Sequence, residues 1–280
     1  MPSRRSRQSP KSAAHCQRQH SSDFPFVPTR YRTSLTSFRT THDIEGSMTI
    51  IGGADGCPGG WVCIERDTIT GDIFGDVFAT TQDLMERGRY LAVLTVDIPI
   101  GLTDAEPREC DRQARQLLTS KRGSSVFPAP VRAALEGGTY LECCDLSAAA
   151  SGKRLSKQAH AILGRIREVD AILRSDTELR SHVREIHPEV CFCAWAGHPM
   201  AFPKRSPEGR AERLQLVEDH FGSGFEVIRR AIPTRQAADD DILDAFAALW
   251  TAERIVRGLA TTVPAAPLED RYGLRMEMVT

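Results

Sequence analysis

The chain carries eight cysteines but no C-x-x-C pair, so zinc-ribbon and dithiol redox chemistry lack a ligand frame. Cys16, Cys57, Cys63, Cys110, Cys143, Cys144, Cys191 and Cys193 read instead as small buried thiols of a reducing compartment. Cys191-Phe192-Cys193 would set two of them on one face of a strand. No apolar run approaches the roughly 18 residues that cross a bilayer, so no membrane partner is expected and a cytoplasmic location is. A formal net charge of -1 provides no global field for nucleic acid, which would have to be met by local basic patches. No G-x-S-x-G elbow marks a serine nucleophile, and no Walker-type lysine loop marks a P-loop enzyme.

At 280 residues, 41% hydrophobic and 26% charged, the chain can bury one substantial core. Its charge is uneven. Residues 1–47 hold eight Lys or Arg against three Asp or Glu, which makes that segment basic and the remainder acidic. The segment is rich in Ser, Thr, Arg, Gln and Pro and has no apolar periodicity, so it reads as a disordered basic extension. A mitochondrial-type presequence, a nucleic-acid-binding tail, and a true translation start at Met48 all account for it. The start at Met48 is favoured, because the first strand begins immediately after it.

Residues 48–280 read as one α/β domain. Thr49–Asp55 is a strand, and the turn Gly56-Cys57-Pro58-Gly59-Gly60 leads into a second, Trp61–Arg66. Ile73–Ala79 is a third. Thr80 or Thr81 caps a short helix to Arg87, ended by Gly88. Leu91–Asp97 is an almost unbroken apolar run, the pattern of a central strand covered on both faces. A helical insertion follows over about 107–180, with helices Glu109–Leu118 and Leu155–Leu173 around a rigid basic loop, Lys121–Pro130. His182–Ile186 is a fifth strand, Pro207–Phe221 and Ala238–Gly258 are helices, and Leu274–Val279 is a short apolar tail. The order predicts a mixed five-stranded sheet flanked by helices.

Carboxylates mark the ends of these elements. Asp55 and Asp97 close two apolar runs, and Asp239-Asp240-Asp241 with Asp244 open the late helix. Carboxylates converging from such positions repel one another unless a divalent cation lies between them, the usual construction of a metal-dependent phosphoryl-transfer site. Asp241 and Asp244 at i,i+3, or Asp240 and Asp244 at i,i+4, share a helix face, and both pairings stay open. The helix dipole accounts for one acid in a first turn but poorly for this many. Glu189 and Glu185 are candidates to complete the shell or, alternatively, to pair with Arg184. His187 is either a proton shuttle or a structural histidine before proline. Lys121, Arg122, Lys157, Lys204 and Arg205 are candidate phosphate holders, with Lys121-Arg122 standing out beside the Pro-containing loop. Trp61 packs on the glycine turn.

Seven motifs in order carry a family resemblance. They are Gly-x-Asp-Gly-Cys-Pro-Gly-Gly-Trp (53–61), Asp-Ile-Pro-Ile-Gly-Leu (97–102), Cys-Asp-x-x-Ala-Arg (110–115), Ser-Ser-Val-Phe-Pro-Ala-Pro (124–130), Leu-Ser-Lys-Gln (155–158), Glu-Ile-His-Pro-Glu (185–189) and Asp-Asp-x-x-Asp-Ala (240–245). From Met48 to near the C-terminus the chain resembles the family of unknown function numbered 429, whose members are predicted nucleases. The resemblance implies an RNase H-like fold with Asp55 on the first strand, Asp97 at the end of the fourth, and Asp241 or Asp240 with Asp244 on the last helix. Glu189 joins the candidate catalytic set. It further implies phosphodiester hydrolysis with two Mg2+ or Mn2+ ions and nucleic acid, DNA or RNA, as partner; a homodimer is left open. Two other readings stand beside it: a nucleotide-dependent phosphotransferase of the actin and sugar-kinase type, and a non-catalytic nucleic-acid-binding protein.

Overall fold

The computed structural model describes residues 49–280, so the basic extension over 1–47 and the start at Met48 lie outside the described residues. Strand β1 (Ile50–Cys57) turns through Pro58-Gly59 into antiparallel β2 (Gly60–Asp67), with Cys57 opposite Gly60. Gly60 has φ +123°, and a Cβ there would stand 2.2 Å from the Phe78 carbonyl oxygen, so this corner takes only glycine. Strand β3 (Ile73–Phe78) pairs antiparallel with β2. Thr80 then accepts the Asp83 N–H and caps α1 (Thr81–Gly88), as the sequence leads one to expect. Strand β4 (Val93–Val96) returns parallel to β1 and is shorter than the apolar run that marks it.

Between β4 and the next strand the chain is helical: α2 (Glu109–Leu117), α3 (Thr119–Arg122), α4 (Tyr140–Ser151), α5 (Lys157–Ala161), α6 (Leu163–Ser175) and α7 (Thr177–His182). Two expectations are corrected here. Leu155–Leu173 is two helices, because the Ser156 hydroxyl caps α5 on the Ala159 N–H and the backbone leaves helical geometry at Ile162. Lys121–Pro130 is not all loop, since α3 runs into a 3-10 turn at Gly123–Ser125.

Strand β5 (Val183–Glu185) pairs parallel with β4 and completes a mixed sheet of order β3-β2-β1-β4-β5. The five-stranded α/β architecture expected from the order of elements is present. Pro188 then occupies the first turn of α8 (Pro188–Ala196), where its fixed φ suits a helix start. Cys191 and Cys193 therefore lie on a helix, not on a strand, one buried and one half-buried. All seven described cysteines are free thiols. Helix α9 (Pro207–Phe221) keeps its expected bounds under a Ser206 cap, and α10 (Gly224–Ala231) and α11 (Asp239–Val256) follow. The apolar tail is a strand, β7 (Arg275–Val279), paired with β6 (Thr262–Glu269) in a separate sheet. Pro264 and Pro267 hide β6 from a reading of strand patterns.

Alternation along the strands sorts the core into two layers. Ile51, Val62, Ile64, Val93 and Ile186 meet α8, α9, α10 and α11 on one face. Ala54, Cys63, Leu94, Val96 and Val183 meet α1, α4, α6 and α7 on the other. Helix α11 lies directly on the β1 backbone: a Cβ on Gly53 would stand 2.1 Å from the Leu249 nitrogen. Among the described residues no helix is long and apolar enough to cross a membrane.

Candidate active site

Parallel register brings the first two acids together. Ala54 is opposite Val96, so Asp55 and Asp97 follow as neighbours at the carboxyl ends of β1 and β4. The Asp97 N–H donates to the Ala54 carbonyl at 3.1 Å and fixes the step between them. Both share the parity of Gly53 and Thr95, the side that faces α11, where the Thr95 hydroxyl donates to the Ala248 carbonyl at 2.7 Å. Because α11 crosses β1 so closely, its first turns present Asp241 and Asp244 to the same place. Asp55 and Asp244 are buried, and Asp97 and Asp241 are half-buried.

The electrostatics record that convergence. Burial, then the charges of Asp97 and Asp244, hold the Asp55 carboxyl well above the usual carboxylate range. Burial raises Asp97 too, against the pull of His187 and Lys204, and Asp97 is hydrogen-bonded to the Asp55 carboxyl. Asp244 is pushed up to about 7, first by burial, with Lys204 opposing. Of the two pairings left open, Asp241 is the one whose charge reaches Asp55, while its Oδ2 accepts the Ala238 N–H at 2.8 Å. Asp240 instead faces Lys204, 3.9 Å away.

Lys204, expected among the phosphate holders, enters the acid centre itself. Its Nζ is 2.6 Å from Asp244 Oδ2. Burial alone would lower its ammonium, but Asp244, then Asp55 and Asp97, outweigh burial and keep it charged. The centre is thus partly neutralised from within. As the side chains stand, no group of three or more His, Cys, Asp or Glu is drawn closely enough to enclose an ion among the described residues.

The two glutamates separate. Glu189, at the start of α8, is buried between Arg213 and the Arg122 Nε at 3.4 Å, and its charge lifts Asp244. Glu185 shares the parity of Val183 and faces the opposite side of the sheet from Asp97. There it takes Arg108 through Nη2 at 2.7 Å and Nη1 at 2.8 Å and accepts the Ile100 N–H at 2.6 Å. Burial nevertheless raises it to about 7. Arg108 also reaches Asp111 at 2.6 Å, so Glu185 is committed to an ion-pair network that ties down the loop after β4 and lines the cavity shared by Asp55 and Asp97. Neither glutamate pairs with Arg184, which bonds Glu277 at 2.6 Å. Among the described residues the His187 Nδ1 is buried without a partner, unlike a satisfied structural histidine.

Two cavities meet at Asp97. One, of about 170 Å3, is lined by Asp55, Asp97, Trp61, Phe127, Arg165 and His187 among others. The other, of about 400 Å3, is lined by Asp97, Asp244, Glu189, Lys204, Arg122 and Arg205 among others. Lys121 and Lys157 are exposed and line neither. Arg165, absent from the candidates read in the sequence, lines the smaller cavity with Asp55, as does the paired Arg108. Its one sequence-level signal is Gly56, directly after Asp55.

A family model described as a protein of unknown function, DUF429, matches residues 53–269. The chain belongs to the DUF429 family. No curated protein and no solved structure matches it. The DUF429 match begins two residues before Asp55 and runs past α11, so Asp55, Asp97, Glu189, Lys204, Asp241 and Asp244 all lie inside the family region.

Proposed function

We propose that this DUF429 protein is a metal-dependent phosphodiester hydrolase, a nuclease, with an all-carboxylate site on an RNase H-like sheet. The observation that carries the reading is the meeting of Asp55, Asp97, Asp241 and Asp244 at the carboxyl ends of two parallel strands. Burial raises the proton affinity of all four; Asp97, Asp244 and Asp241 raise Asp55 further, and Asp97 raises Asp244. Such a centre is electrostatically unfinished, and its hard oxygen donors suit Mg2+ or Mn2+. A divalent cation held by Asp55, Asp97 and Asp244 would supply an activated water and neutralise charge on the scissile phosphate. Asp241 steadies the arrangement from the first turn of α11. Lys204, fixed on Asp244, offers a positive charge to a non-bridging or leaving oxygen. Glu189 lines the larger cavity with Arg122 and is also paired with the buried Arg213.

The phosphotransferase reading needs free backbone N–H groups in the glycine turn between β1 and β2. There the Gly59 N–H is engaged by the Gln236 carbonyl at 2.8 Å, which weakens it.

The test is a cleavage panel of single-stranded, duplex and branched DNA and RNA with Mg2+ and with Mn2+. Asp55→Asn and Asp97→Asn should abolish cleavage while keeping the wild-type circular dichroism, and Asp67→Asn, remote in the β2–β3 turn, should cleave normally. Equal cleavage by wild type and both Asn variants would refute the assignment. Hydrolysis of a nucleotide in place of every nucleic acid, dependent on the same aspartates, would replace it with the kinase-like reading.

A further inference from the structure

The cavity beside Asp55 contains an arginine with no carboxylate of its own. Arg165 rises from α6, on the far layer from α11, and its guanidinium reaches over the end of the β1–β2 hairpin. Its Nη2 donates to the carbonyls of Cys57 at 2.9 Å and Gly60 at 3.1 Å. Its plane lies near the Trp61 ring, with Cζ 5.2 Å from the centroid. Among the described residues Arg165 has no salt-bridge partner, and its Nε and Nη1 make no hydrogen bond. Arg108 and Arg132, also in this layer, are by contrast held by Glu185 and Asp111 and by Asp170 and Asp270.

Gly56 explains how the guanidinium comes so close. Its φ is not positive, so no turn demands glycine there. A Cβ at that position would stand 2.5 Å from Arg165 Nη1. The residue following Asp55 is bare because Arg165 occupies the space a side chain would take. Two carbonyls and an aromatic ring thus hold a planar cation, with Nη1 and Nε left without a partner among the described residues, in the cavity that Asp55 and Asp97 line. With Nη2 spent on the two carbonyls, no two-nitrogen edge is left, but Nη1 and Nε can each donate a charge-assisted hydrogen bond to an oxyanion.

We propose that Arg165 is the phosphate-holding residue of the site, gripping the non-bridging oxygens of the substrate phosphoryl group beside Asp55 and Asp97. The proposal rests on the phosphodiesterase reading for its substrate class, and it replaces the exposed Lys121 and Lys157 as the anchor. It makes Gly56 a specificity device, since any side chain there displaces the fork.

The experiment separates anion from metal. Mg2+ is titrated into the protein by calorimetry, and inorganic phosphate is then titrated into the Mg2+-loaded protein at about pH 6. Wild type should bind both. Arg165→Gln should weaken phosphate roughly ten- to a hundredfold, the worth of a charge-assisted hydrogen bond, while Mg2+ affinity stays equal or rises. Arg165→Lys, which keeps the charge and covers a failure of the Gln variant to fold, should recover only part of the loss. Gly56→Ala should resemble Arg165→Gln for phosphate. If phosphate binds Arg165→Gln and Arg165→Lys as tightly as wild type, Arg165 merely clasps the hairpin and the proposal falls. It also falls if wild type binds Mg2+ but no phosphate. If wild type binds no Mg2+ at all, the metal reading fails, a result the first titration shows by itself.

Discussion

Asp244 offers the sharpest physical test of the acid centre, because its carboxyl is raised from 3.8 to about 7 inside the fold. A carboxyl that binds its proton more tightly when folded stabilises the protein when protonated. That contribution is complete below about pH 4, shrinks as the pH rises, and is gone above about pH 7. From about pH 4.5 to pH 8 the loss is ~3 kcal/mol. For a domain of this size that corresponds to roughly 6–12 °C in Tm. Asp55 and Asp97 shift in the same direction and add to the slope. Other carboxylates, such as Glu109 and Asp176, are lowered by their partners and pull the other way, so the quantity to follow is the difference between wild type and Asp244→Asn. The variant keeps the shape of the side chain without its titration, and Lys204, with a side chain 38% exposed, can turn to water once its partner is neutral.

Melting curves in EDTA across that pH range should therefore show wild type losing ground to Asp244→Asn as the pH rises. With millimolar Mn2+ the ionised carboxylates have a cation to hold, so the loss should shrink or reverse, since a ligand at a hundred times its Kd contributes ~2.7 kcal/mol. A wild-type Tm that stays level with the variant, or climbs above it with pH in EDTA, would refute the claim that these acids are mutually strained without metal.

Further outcomes follow from the packing. Gly53→Ala drives a methyl into the α11 backbone, where it would stand 2.1 Å from the Leu249 nitrogen; a loss of at least 1–3 kcal/mol in urea denaturation is expected, and a neutral result would mean that α11 does not lie on β1 as described. Arg108→Met strands Glu185 and Asp111 as buried acids and should cost about 3–5 kcal/mol at neutral pH, less near pH 5 where Glu185 takes up a proton. Lys121→Ala, at an exposed position, should stay within about 0.5 kcal/mol of wild type, whereas Arg122→Ala removes a partner of buried Glu189 and should lower the urea midpoint visibly.

The acids were legible in the sequence for a geometric reason. A strand covered on both faces shows as an apolar run, and a carboxylate at its end has one place to be, so Asp55 and Asp97 could be located before their neighbours were known. Asp241 and Asp244 were legible through helical spacing, and the choice of Asp241 over Asp240 was not, because it depends on how α11 rotates on Gly53. The basic side chains were read least well. Lys204 meets Asp244 across 40 residues and Arg108 meets Glu185 across 77, and no local pattern announces a partner at such separations. Adjacent Lys121-Arg122 drew notice as a basic pair, yet the fold points one to solvent and the other into a wall. Arg165 was hidden inside a helix of ordinary amphipathic pattern. Its imprint, the glycine after Asp55, reads in the sequence as part of the turn, and only the structure shows it inside β1 with no left-handed backbone to call for it. Such a glycine marks a place kept open for another group, and next to a candidate catalytic acid that group is worth finding first.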